Sequence, residues 1–351
     1  MSDSPQLSRI AVIGAGVAGA ACAASLKRAG AQVVVFEKSR GTGGRMATRR
    51  ARWTDETGTE QSAEFDHGAQ HFAARHPRFK ALMLRAMAAG RVALWHPRVH
   101  VARPVALERD CFVALPNMPA LCNHVLGDVP LRLEHAVQRL QHSSEGWHVV
   151  VAGGAMAGPF DQVILAMPPA QAALLLAGHN DPWADALASM RMDPCWTLMA
   201  VTDDADWPWD AAEPRKGPLA WVARNDRKPG RTAPAGFISW IAHATPAWSA
   251  AHLEADPEAV RLALCKALQA QLPAGREPQW HHSSVHRWRY AVPTESAADG
   301  TDCWWDAELG LGVCGDFLGS GDVESAWRSG DELADTVAAW LEDAHGMAEL
   351  T

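Results

Sequence analysis

An α/β fold with a parallel sheet, interrupted by an inserted domain of mixed α+β structure, is the architecture that the sequence predicts. The chain has 351 residues, more than one hydrophobic core usually supports, so two domains are expected. Residues Arg9–Ile13 and Gln32–Phe36 are apolar and β-prone, and the small residues between them, 17–29, have the pattern of a helix. This order of strand, helix and strand predicts a parallel βαβ unit.

Further along the chain the pattern changes twice. Between 182 and 289 it favours strands rich in tryptophan, and after 298 it returns to a short buried strand and a long helix. We therefore expect a discontinuous first domain, 1–76, 110–180 and 298–351, and a second domain, 77–109 and 181–297. The elements expected within these segments are helices at 77–89, 118–126, 257–271 and 323–342, strands at 111–115, 147–151, 162–165 and 311–314, an alternating stretch at 131–140, and a hairpin connection at 153–158.

Composition narrows the classes of partner. The formal net charge of -8 provides no electrostatic footprint for nucleic acid or anionic lipid, so we expect a small-molecule partner and no obligate protein partner. The seven cysteines are scattered and never form a C-x-x-C pair, which fits a reducing compartment. We expect a cytoplasmic protein without a membrane span, because the first residues are polar and prolines break the most apolar stretch. The histidines near 281–286 lack a completing ligand, so no metal site is predicted.

The first predicted strand leads into a glycine motif. Gly14, Gly16 and Gly19 form a G-x-G-x-x-G pattern after a strand, and Val17 and Ala18 open the helix that follows. Gly14 permits the tight turn, Gly16 allows the backbone to approach a pyrophosphate, and Gly19 lets helix and strand pack closely. The motif predicts a Rossmann-like domain that presents a helix N-terminus to a dinucleotide.

An acidic residue ends the second strand. Glu37 lies where a carboxylate accepts hydrogen bonds from the adenosine ribose, and Lys38 follows it. The next loop, RGTGGRMATR at 40–49, contains Gly44, Arg45 and Met46. Adjacent glycines allow close backbone approach, and arginine offers a forked donor to phosphate. This loop resembles the second fingerprint of FAD enzymes of the flavin amine-oxidase superfamily, which implies contact with the cofactor's diphosphate.

A third motif lies near the end of the chain, where a short strand ends in Gly315 and Asp316. It resembles the ribityl-binding motif of the same superfamily, which implies that Asp316 accepts hydrogen bonds from ribityl hydroxyls. The helix that begins at Val323 and Glu324 would then point its positive end toward the flavin pyrimidine. Three motifs in this order predict FAD, and we expect it to be noncovalent because no motif signals a flavin-linked side chain.

The likeness narrows to one family. The segments GGRMATR at 43–49, DHGAQHF at 66–72, WVARND at 221–226, HATPAWS at 243–249 and VESAW at 323–327 resemble bacterial renalases, and the likeness runs through nearly the whole chain. The resemblance implies an oxidase that takes hydride from 2- or 6-dihydro isomers of NAD(P) to flavin N5. It would return β-NAD(P)+ while O2 becomes H2O2.

Candidate site residues follow from the same segments. Asp66, Gly68 and Ala69 are expected at the cofactor, where the small pair allows the backbone near the flavin. The residues predicted to form the reaction pocket are Gln70, His71, Trp288 and Trp327, with a structural role as the alternative for His71 and for the tryptophans. The basic residues of which some are expected to engage a diphosphate are Arg224, Arg227, Lys228, Arg231, Arg287 and Arg289, each with a solvated surface role as the alternative.

Two other functions are compatible with the sequence. A flavin amine oxidase shares the fold and would require an aromatic cage in front of the flavin. A flavin-binding protein without turnover would carry the same fingerprints. In every enzymatic case the hydride donor must meet the flavin directly, because the chain has one dinucleotide fingerprint and no C-x-x-C pair.

Overall fold

The computed structural model describes residues 7–101, 111–204, 207–272, 277–295 and 302–348. The helices of these ranges are α1 Val17–Arg28, α2 Pro77–Ala88, α3 Ala120–Leu126, α4 Pro169–Leu176, α5 Asp181–Ser189, α6 Pro246–Ala251, α7 Pro257–Gln269 and α8 Val323–Ala348. The strands are β1 Arg9–Ile13, β2 Gln32–Phe36, β3 Arg49–Thr54, β4 Glu60–Phe65, β5 Val92–Trp95, β6 Val99–Val101, β7 Cys111–Ala114, β8 Leu131–Arg132, β9 Val137–Ser143, β10 Gly146–Val151, β11 Met156–Phe160, β12 Gln162–Leu165, β13 Met192–Asp203, β14 Ala211–Glu213, β15 Leu219–Arg224, β16 Phe237–Ala244, β17 Trp280–Pro293, β18 Cys303–Asp306 and β19 Leu311–Cys314.

A largely parallel sheet forms the centre of the first half of the fold. Its strand order is β18-β19-β12-β1-β2-β8, and β18 runs antiparallel to β19 while the other neighbours are parallel. Ile10 and Val12 of β1 pack with α1 and α8 on one face, whereas Ala11 and Ile13 pack with α4, α5 and the β9–β11 sheet on the other. Covering on both faces explains why the central strands are continuously apolar.

Glycines bring the two helices of the first face unusually close. A Cβ added to Gly330 of α8 would lie 2.0 Å from the carbonyl oxygen of Ala18 in α1, so the backbones touch at this point. Ser25 of α1 also donates a 2.9 Å hydrogen bond to Asp331 of α8. The last helix is thereby fixed against the helix that opens the chain.

The tryptophan-rich segment forms a second, mostly antiparallel sheet in the order β17-β13-β16-β15-β14-β6. Trp196 and Leu198 of β13 pack with α7 on one face of this sheet. Met199 and Val201, which alternate with them, face the β3–β4 hairpin and contact Trp53. The hairpin therefore closes the second sheet on the side that also faces the glycine motifs.

The predicted fold class is confirmed, as are the predicted elements around the glycine motifs. The 153–158 segment is a hairpin connection, and its second half already belongs to β11, which pairs with β10. The alternating stretch 131–140 is divided between β8 and β9, which join different sheets.

Phe79 and Met83 of α2 pack in the same core as β1, while the β3–β4 hairpin packs on the second sheet. The domain boundaries given above stay a prediction. In the described part of the chain, no helix is long and apolar enough to cross a membrane.

Candidate active site

The glycine turn between β1 and α1 has the geometry that its three glycines require. Gly14 has a φ of +114° and donates a 2.8 Å hydrogen bond to Phe36 in β2. A Cβ on Gly19 would lie 2.0 Å from the Gly14 carbonyl oxygen, so the helix can approach the turn only because this residue is glycine. A Cβ on Gly16 would meet nothing within 4 Å. Space for a ligand thus lies beside the N-terminus of α1, where Val17 and Ala18 form its first turn.

Glu37 supports this turn from the end of β2. Its carboxylate is buried, with one oxygen accepting a 2.9 Å hydrogen bond from the Ala15 N–H and the other a 2.8 Å hydrogen bond from the Ser39 N–H. The neighbouring Lys38 is exposed and its ammonium lies 3.3 Å from Gln171 on α4. Glu37 therefore stabilises the glycine turn, whereas Lys38 extends toward the protein surface; contact of Glu37 with a ribose stays a prediction.

The second glycine loop packs directly on the first. Gly43 donates a 3.0 Å hydrogen bond to the Ala15 carbonyl, and a Cβ on Gly44 would lie 3.5 Å from the Gly16 Cα. Met46, at the end of this short helical turn, is buried in the core. The two loops together form one continuous backbone surface.

Arg45 joins the second motif to the third. Its guanidinium donates to both carboxylate oxygens of Asp316, one at 2.6 Å, and to the Ala291 carbonyl at 3.1 Å. Gly315 in turn donates a 2.8 Å hydrogen bond to Ser329 of α8. The three motifs, which are far apart in sequence, therefore meet in one place.

The start of α8 is tied to the loop before α2. Glu324 accepts hydrogen bonds from the backbone N–H groups of Arg75 and His76, at 2.7 and 2.6 Å, and Val323 is the first residue of the helix. The Glu324 carboxylate thus caps backbone amides next to the predicted cofactor site.

The segment from Asp66 to His71 lies against the second loop. Ala69 donates a 2.9 Å hydrogen bond to the Arg45 carbonyl, and a Cβ on Gly68 would lie 1.8 Å from that oxygen. The Trp288 indole N–H donates a 2.9 Å hydrogen bond to the His67 carbonyl, and its ring lies 3.5 Å from the Gly68 Cβ position. Glycine and a flat aromatic ring therefore let the segment pack tightly between the loop and β17.

A buried charge cluster holds this segment from the other side. Asp66 and Lys228 are both fully buried, with 3.4 Å between the carboxylate and the ammonium, and Arg231 lies 2.9 Å from the same Asp66 oxygen. Thr48 donates a 2.7 Å hydrogen bond to the second oxygen. Lys228 also donates a 3.0 Å hydrogen bond to the Gln70 side-chain oxygen. Two cations and one carboxylate leave the cluster with an excess of positive charge.

The electrostatics of the cluster follow from burial and pairing. Burial by itself raises the pKa of Asp66, but Lys228 and Arg231 outweigh it, and the pKa falls below its ordinary value. Burial lowers the pKa of Lys228 to about 8, against the opposing attraction of Asp66. The Asp66 carboxylate is therefore ionised at neutral pH, and Lys228 remains mostly protonated.

A row of side chains on the second sheet faces the same segment. Thr197 is paired in register with His286 on one side and His243 on the other, and His243 is paired with Trp221. Partners in register point to the same face of a sheet. His243 lies 3.4 Å from the Gln70 side-chain nitrogen.

The rings of the row pack closely on the segment. The His67 and His286 rings are 4.8 Å apart, and the His71 ring lies 5.5 Å from Trp221 and 6.1 Å from Trp95. The buried indole nitrogen of Trp221 has no hydrogen-bond partner among the described residues. This donor is available to an acceptor group on a ligand.

Burial also lowers the pKa values of two histidines, His67 in the segment and His243 in the row. It lowers the pKa of His67 to about 3, assisted by nearby His286 and Arg49, and lowers that of His243 to about 4, assisted by the Lys228 charge. Both imidazoles are consequently uncharged at neutral pH. No cluster of metal ligands occurs in the ranges that the structure describes.

The structure brings Gln70, His71 and Trp288 together, but it places Trp327 elsewhere. Trp327 is buried in the core with its ring 5.3 Å from Phe79 of α2, which is the environment of a packing residue. Its role in the pocket stays a prediction.

The basic residues divide into two groups. Arg287 and Arg289 share the exposed Glu254, and Arg227 is exposed, in agreement with a surface role. A solvated role is wrong for Lys228, Arg231 and Arg224, which are buried and paired with carboxylates. Sequence analysis also missed His243 as a site residue, although it opens the HATPAWS segment.

Comparisons with known proteins agree with this geometry. A family model for flavin containing amine oxidoreductases matches residues 111–338, and one for NAD(P)-binding Rossmann-like domains matches residues 12–86. Renalase of Mus musculus is 25% identical over 308 residues, which cover 84% of this chain and 87% of the mouse protein.

Solved structures show the same fold at low sequence identity. Cyclohexylamine oxidase of Brevibacterium oxydans has a TM-score of 0.66 and 14% identity, covering 96% of this chain and 100% of that one. An oxidoreductase of Methanosarcina mazei has a TM-score of 0.68 and 13% identity, covering 93% and 100%.

The fold and the convergence of three cofactor motifs define a flavin-dependent oxidoreductase. Because the amine-oxidoreductase model matches more than half of the chain, the protein belongs to the flavin containing amine oxidoreductase family. Within it the chain is renalase-like, which confirms the resemblance seen in the sequence.

Proposed function

We propose that the protein is an FAD-dependent oxidase of isomeric dihydronicotinamide dinucleotides. It takes hydride from 2- or 6-dihydro-NAD(P), returns β-NAD(P)+, and passes the electrons to O2 with formation of H2O2. The similarity to mouse renalase over most of both chains supports this substrate class. The observation that carries the proposal is the charge of the site around Gln70.

This charge favours an anionic substrate over a cationic one. Asp66 is paired with both Lys228 and Arg231, so the buried cluster keeps an excess positive charge. The other carboxylates placed at the site already have partners, since Asp316 binds Arg45, and Glu37 and Glu324 accept backbone N–H groups. An ammonium substrate would find no open carboxylate among these groups, whereas a dinucleotide brings a compensating diphosphate.

The chain's own residues fit FAD. The open space beside Gly16 and the first amides of α1 suit a diphosphate, Glu37 suits ribose hydroxyls, and Asp316 suits the ribityl chain. FAD, when bound, supplies the hydride acceptor at N5. We propose noncovalent binding, so acid or heat should release intact FAD from the purified yellow protein.

The residues around Gln70 would hold the substrate ring and exclude water. Aromatic rings contact the segment at two places: Trp288 stacks on His67, and Trp221 lies against His71. The unpartnered Trp221 indole N–H can donate to a carboxamide or phosphate oxygen. No proton has to be removed from the donor carbon, because the hydrogen leaves it as hydride, so positioning is the main task of the protein.

Anaerobic stopped-flow reduction tests the proposal. The flavin should bleach much faster with 2- or 6-dihydro-NAD(P) than with β-NADH or with primary amines, and β-NAD(P)+ should accumulate. Aerobic turnover with the same isomers should consume O2 and release H2O2. Bleaching by a primary amine but not by any isomer would instead assign the site to amine oxidation, the activity of the cyclohexylamine oxidase that shares the fold.

A further inference from the structure

Lys228 is a fully buried lysine in direct contact with the candidate reaction pocket. Its ammonium donates to the Gln70 side-chain oxygen at 3.0 Å, lies 3.4 Å from Asp66, and sits 5.6 Å from the centre of the Trp95 ring. Burial of a lysine is costly unless its charge is paired and hydrogen-bonded. Arg231 already pairs with Asp66 at 2.9 Å, so neutralising the carboxylate does not require a second cation. Pairing with Asp66 therefore does not by itself explain why a second cation, Lys228, is buried here.

The contact with Lys228 fixes the orientation of the Gln70 amide. An ammonium can only donate, so the amide oxygen must face it. The amide nitrogen then faces the opposite side, where it donates to the Gly68 carbonyl at 3.0 Å and to the Asp66 carbonyl. On that side it also lies 3.4 Å from Nε2 of His243. The amide nitrogen has two hydrogens for these three acceptors and cannot itself accept a hydrogen bond, so a proton on Nε2 would face a donor, and the contact favours the tautomer with the imidazole proton on Nδ1.

The same ammonium opposes protonation of His243. Burial is the main cause that lowers the pKa of His243, and repulsion from Lys228 is the next, with His71 contributing in the same direction. A hydrogen bond with the His67 backbone acts the other way, and the net result is a pKa of about 4. The register partners of His243, Thr197 and Trp221, carry no charge. Among the charged groups that act on the imidazole, Lys228 therefore contributes the largest repulsion.

We propose that Lys228 is a positioning residue that, through Gln70, holds His243 as an uncharged imidazole in a single tautomer on the substrate face of the second sheet. The benefit of an uncharged imidazole rests on the proposed function. In that reaction the C–H electron pair would leave the donor ring together with the hydrogen as hydride, for which bound FAD would be the acceptor, and the dihydronicotinamide ring would become a pyridinium cation. An imidazolium beside this ring would raise the free energy of the charged state.

Three substitutions separate the charge of Lys228 from its hydrogen bond. Lys228→Gln keeps an N–H donor toward Gln70 but removes the charge, and Lys228→Arg keeps the charge. Gln70→Leu keeps the charge but removes the relay to His243. Lys266→Gln on the exposed face of α7 makes the same chemical change away from the site and serves as the control.

The primary measurement is a ¹⁵N NMR titration of the His243 ring in the flavin-loaded protein, assigned with His243→Asn. The wild type should show one neutral tautomer, protonated on Nδ1, down to about pH 5, and Lys228→Gln should raise the His243 pKa by about one unit or more. Lys228→Arg and Lys266→Gln should leave the titration unchanged, and Gln70→Leu should give a mixture of tautomers.

The acid limb of flavin reduction by the dihydro isomer should move upward in pH by the same amount in Lys228→Gln. An unchanged His243 pKa in Lys228→Gln, or a wild-type imidazole that is charged or mixed in tautomer at pH 6, would overturn the proposal. The wild-type titration can overturn the proposal even if a variant does not fold. A flavin that no isomer reduces would overturn the proposed function, while the NMR titration, which needs no substrate, still decides the role of Lys228.

Discussion

Two carboxylates of the site, those of Glu37 and Glu324, bind the protein's own backbone. Glu37 accepts from two backbone N–H groups, and Glu324 accepts from two others. Each carboxylate has two roles: it stabilises the backbone turn by accepting its N–H groups, and it places a negative charge beside that turn. Removing a buried acceptor leaves its donors unsatisfied, so the loss exceeds that of a simple surface hydrogen bond.

Replacement of Glu37 should therefore weaken FAD binding strongly. Glu37→Ala removes the acceptor for the Ala15 N–H as well as the predicted ribose contact, at a cost on the order of 1.5–3 kcal/mol per charged hydrogen bond. This corresponds to at least about tenfold weaker FAD binding. Glu37→Gln, which keeps one acceptor, should lose less.

Titration of FAD into apoprotein, followed by flavin fluorescence, measures this effect. Glu145→Ala, on an exposed turn between β9 and β10, is the matched control and should bind FAD as the wild type does. A folded Glu37→Ala protein with unchanged FAD affinity would remove Glu37 from the cofactor site.

The surroundings of Lys228 show that the burial and ion pairing of a basic residue could not be predicted from the sequence around it. The sequence offers six basic residues in the predicted second domain of an acidic protein, and composition favours a solvated role for each. Three of the six are instead buried: Arg224 pairs with the nearby Asp226, whereas Lys228 and Arg231 lie beside Asp66, which is far away in the chain. Pairing across such a separation is a tertiary fact that no local pattern encodes.

At the level of elements, the helices and strands that bind the cofactor could be predicted and their tertiary packing could not. The βαβ unit, the closing helix and the glycine turn have strong local patterns, and the structure contains them close to the expected bounds. The β3–β4 hairpin has no such pattern, because alternation in Arg49–Thr54 is obscured by exposed arginines. Its position on the second sheet is set by Trp53 and Phe65, which meet residues more than a hundred positions away.

Two glycines in contact with α1 should behave in opposite ways when a methyl group is added. In Gly16→Ala the added Cβ meets nothing, so the protein should fold normally but bind FAD poorly, since the methyl group occupies the space proposed for the diphosphate. In Gly330→Ala the added Cβ would lie 2.0 Å from the Ala18 carbonyl oxygen, so α8 must move away from α1. Overpacking of this kind costs typically about 1–3 kcal/mol.

Thermal unfolding of both variants without FAD, together with FAD titration, separates these effects. The melting temperature should fall in Gly330→Ala and stay near the wild-type value in Gly16→Ala. Gly153→Ala, in the β10–β11 turn, has open space and a positive φ, and it serves as a control for backbone strain without helix contact. A Gly16→Ala protein that binds FAD normally would place the diphosphate elsewhere.

At the scale of the whole molecule, the candidate reaction site is a layer between two sheets. The glycine motifs of the parallel sheet supply one side, and the Thr197 row of the antiparallel sheet supplies the other. Segment 66–71 lies in this layer and joins both sides through Arg45 and Lys228. Such a layer removes histidines from water, and that burial couples the stability of the protein to pH.

We expect the protein to lose stability progressively as the pH falls from about 6.5 to 4. The unfolded chain protonates its histidines near 6.5, whereas burial holds the pKa of His243 at about 4 and that of His67 at about 3. In that window the unfolded state binds more protons, so the free energy of unfolding falls by about 1.4 kcal/mol per pH unit for each such histidine. Asp66, whose pKa is lowered in the folded state, contributes a loss only at more acidic pH.

Denaturant unfolding at a series of pH values, with saturating FAD in every sample, checks this coupling. His243→Gln and His67→Gln each replace a titrating ring with a neutral amide, so each variant should show a shallower dependence on pH between 6.5 and 4, by about 1.4 kcal/mol per unit. His96→Gln, at an exposed histidine, should keep the wild-type slope. If His243→Gln and His67→Gln retained that slope as well, the acid sensitivity would have to originate outside the layer between the sheets.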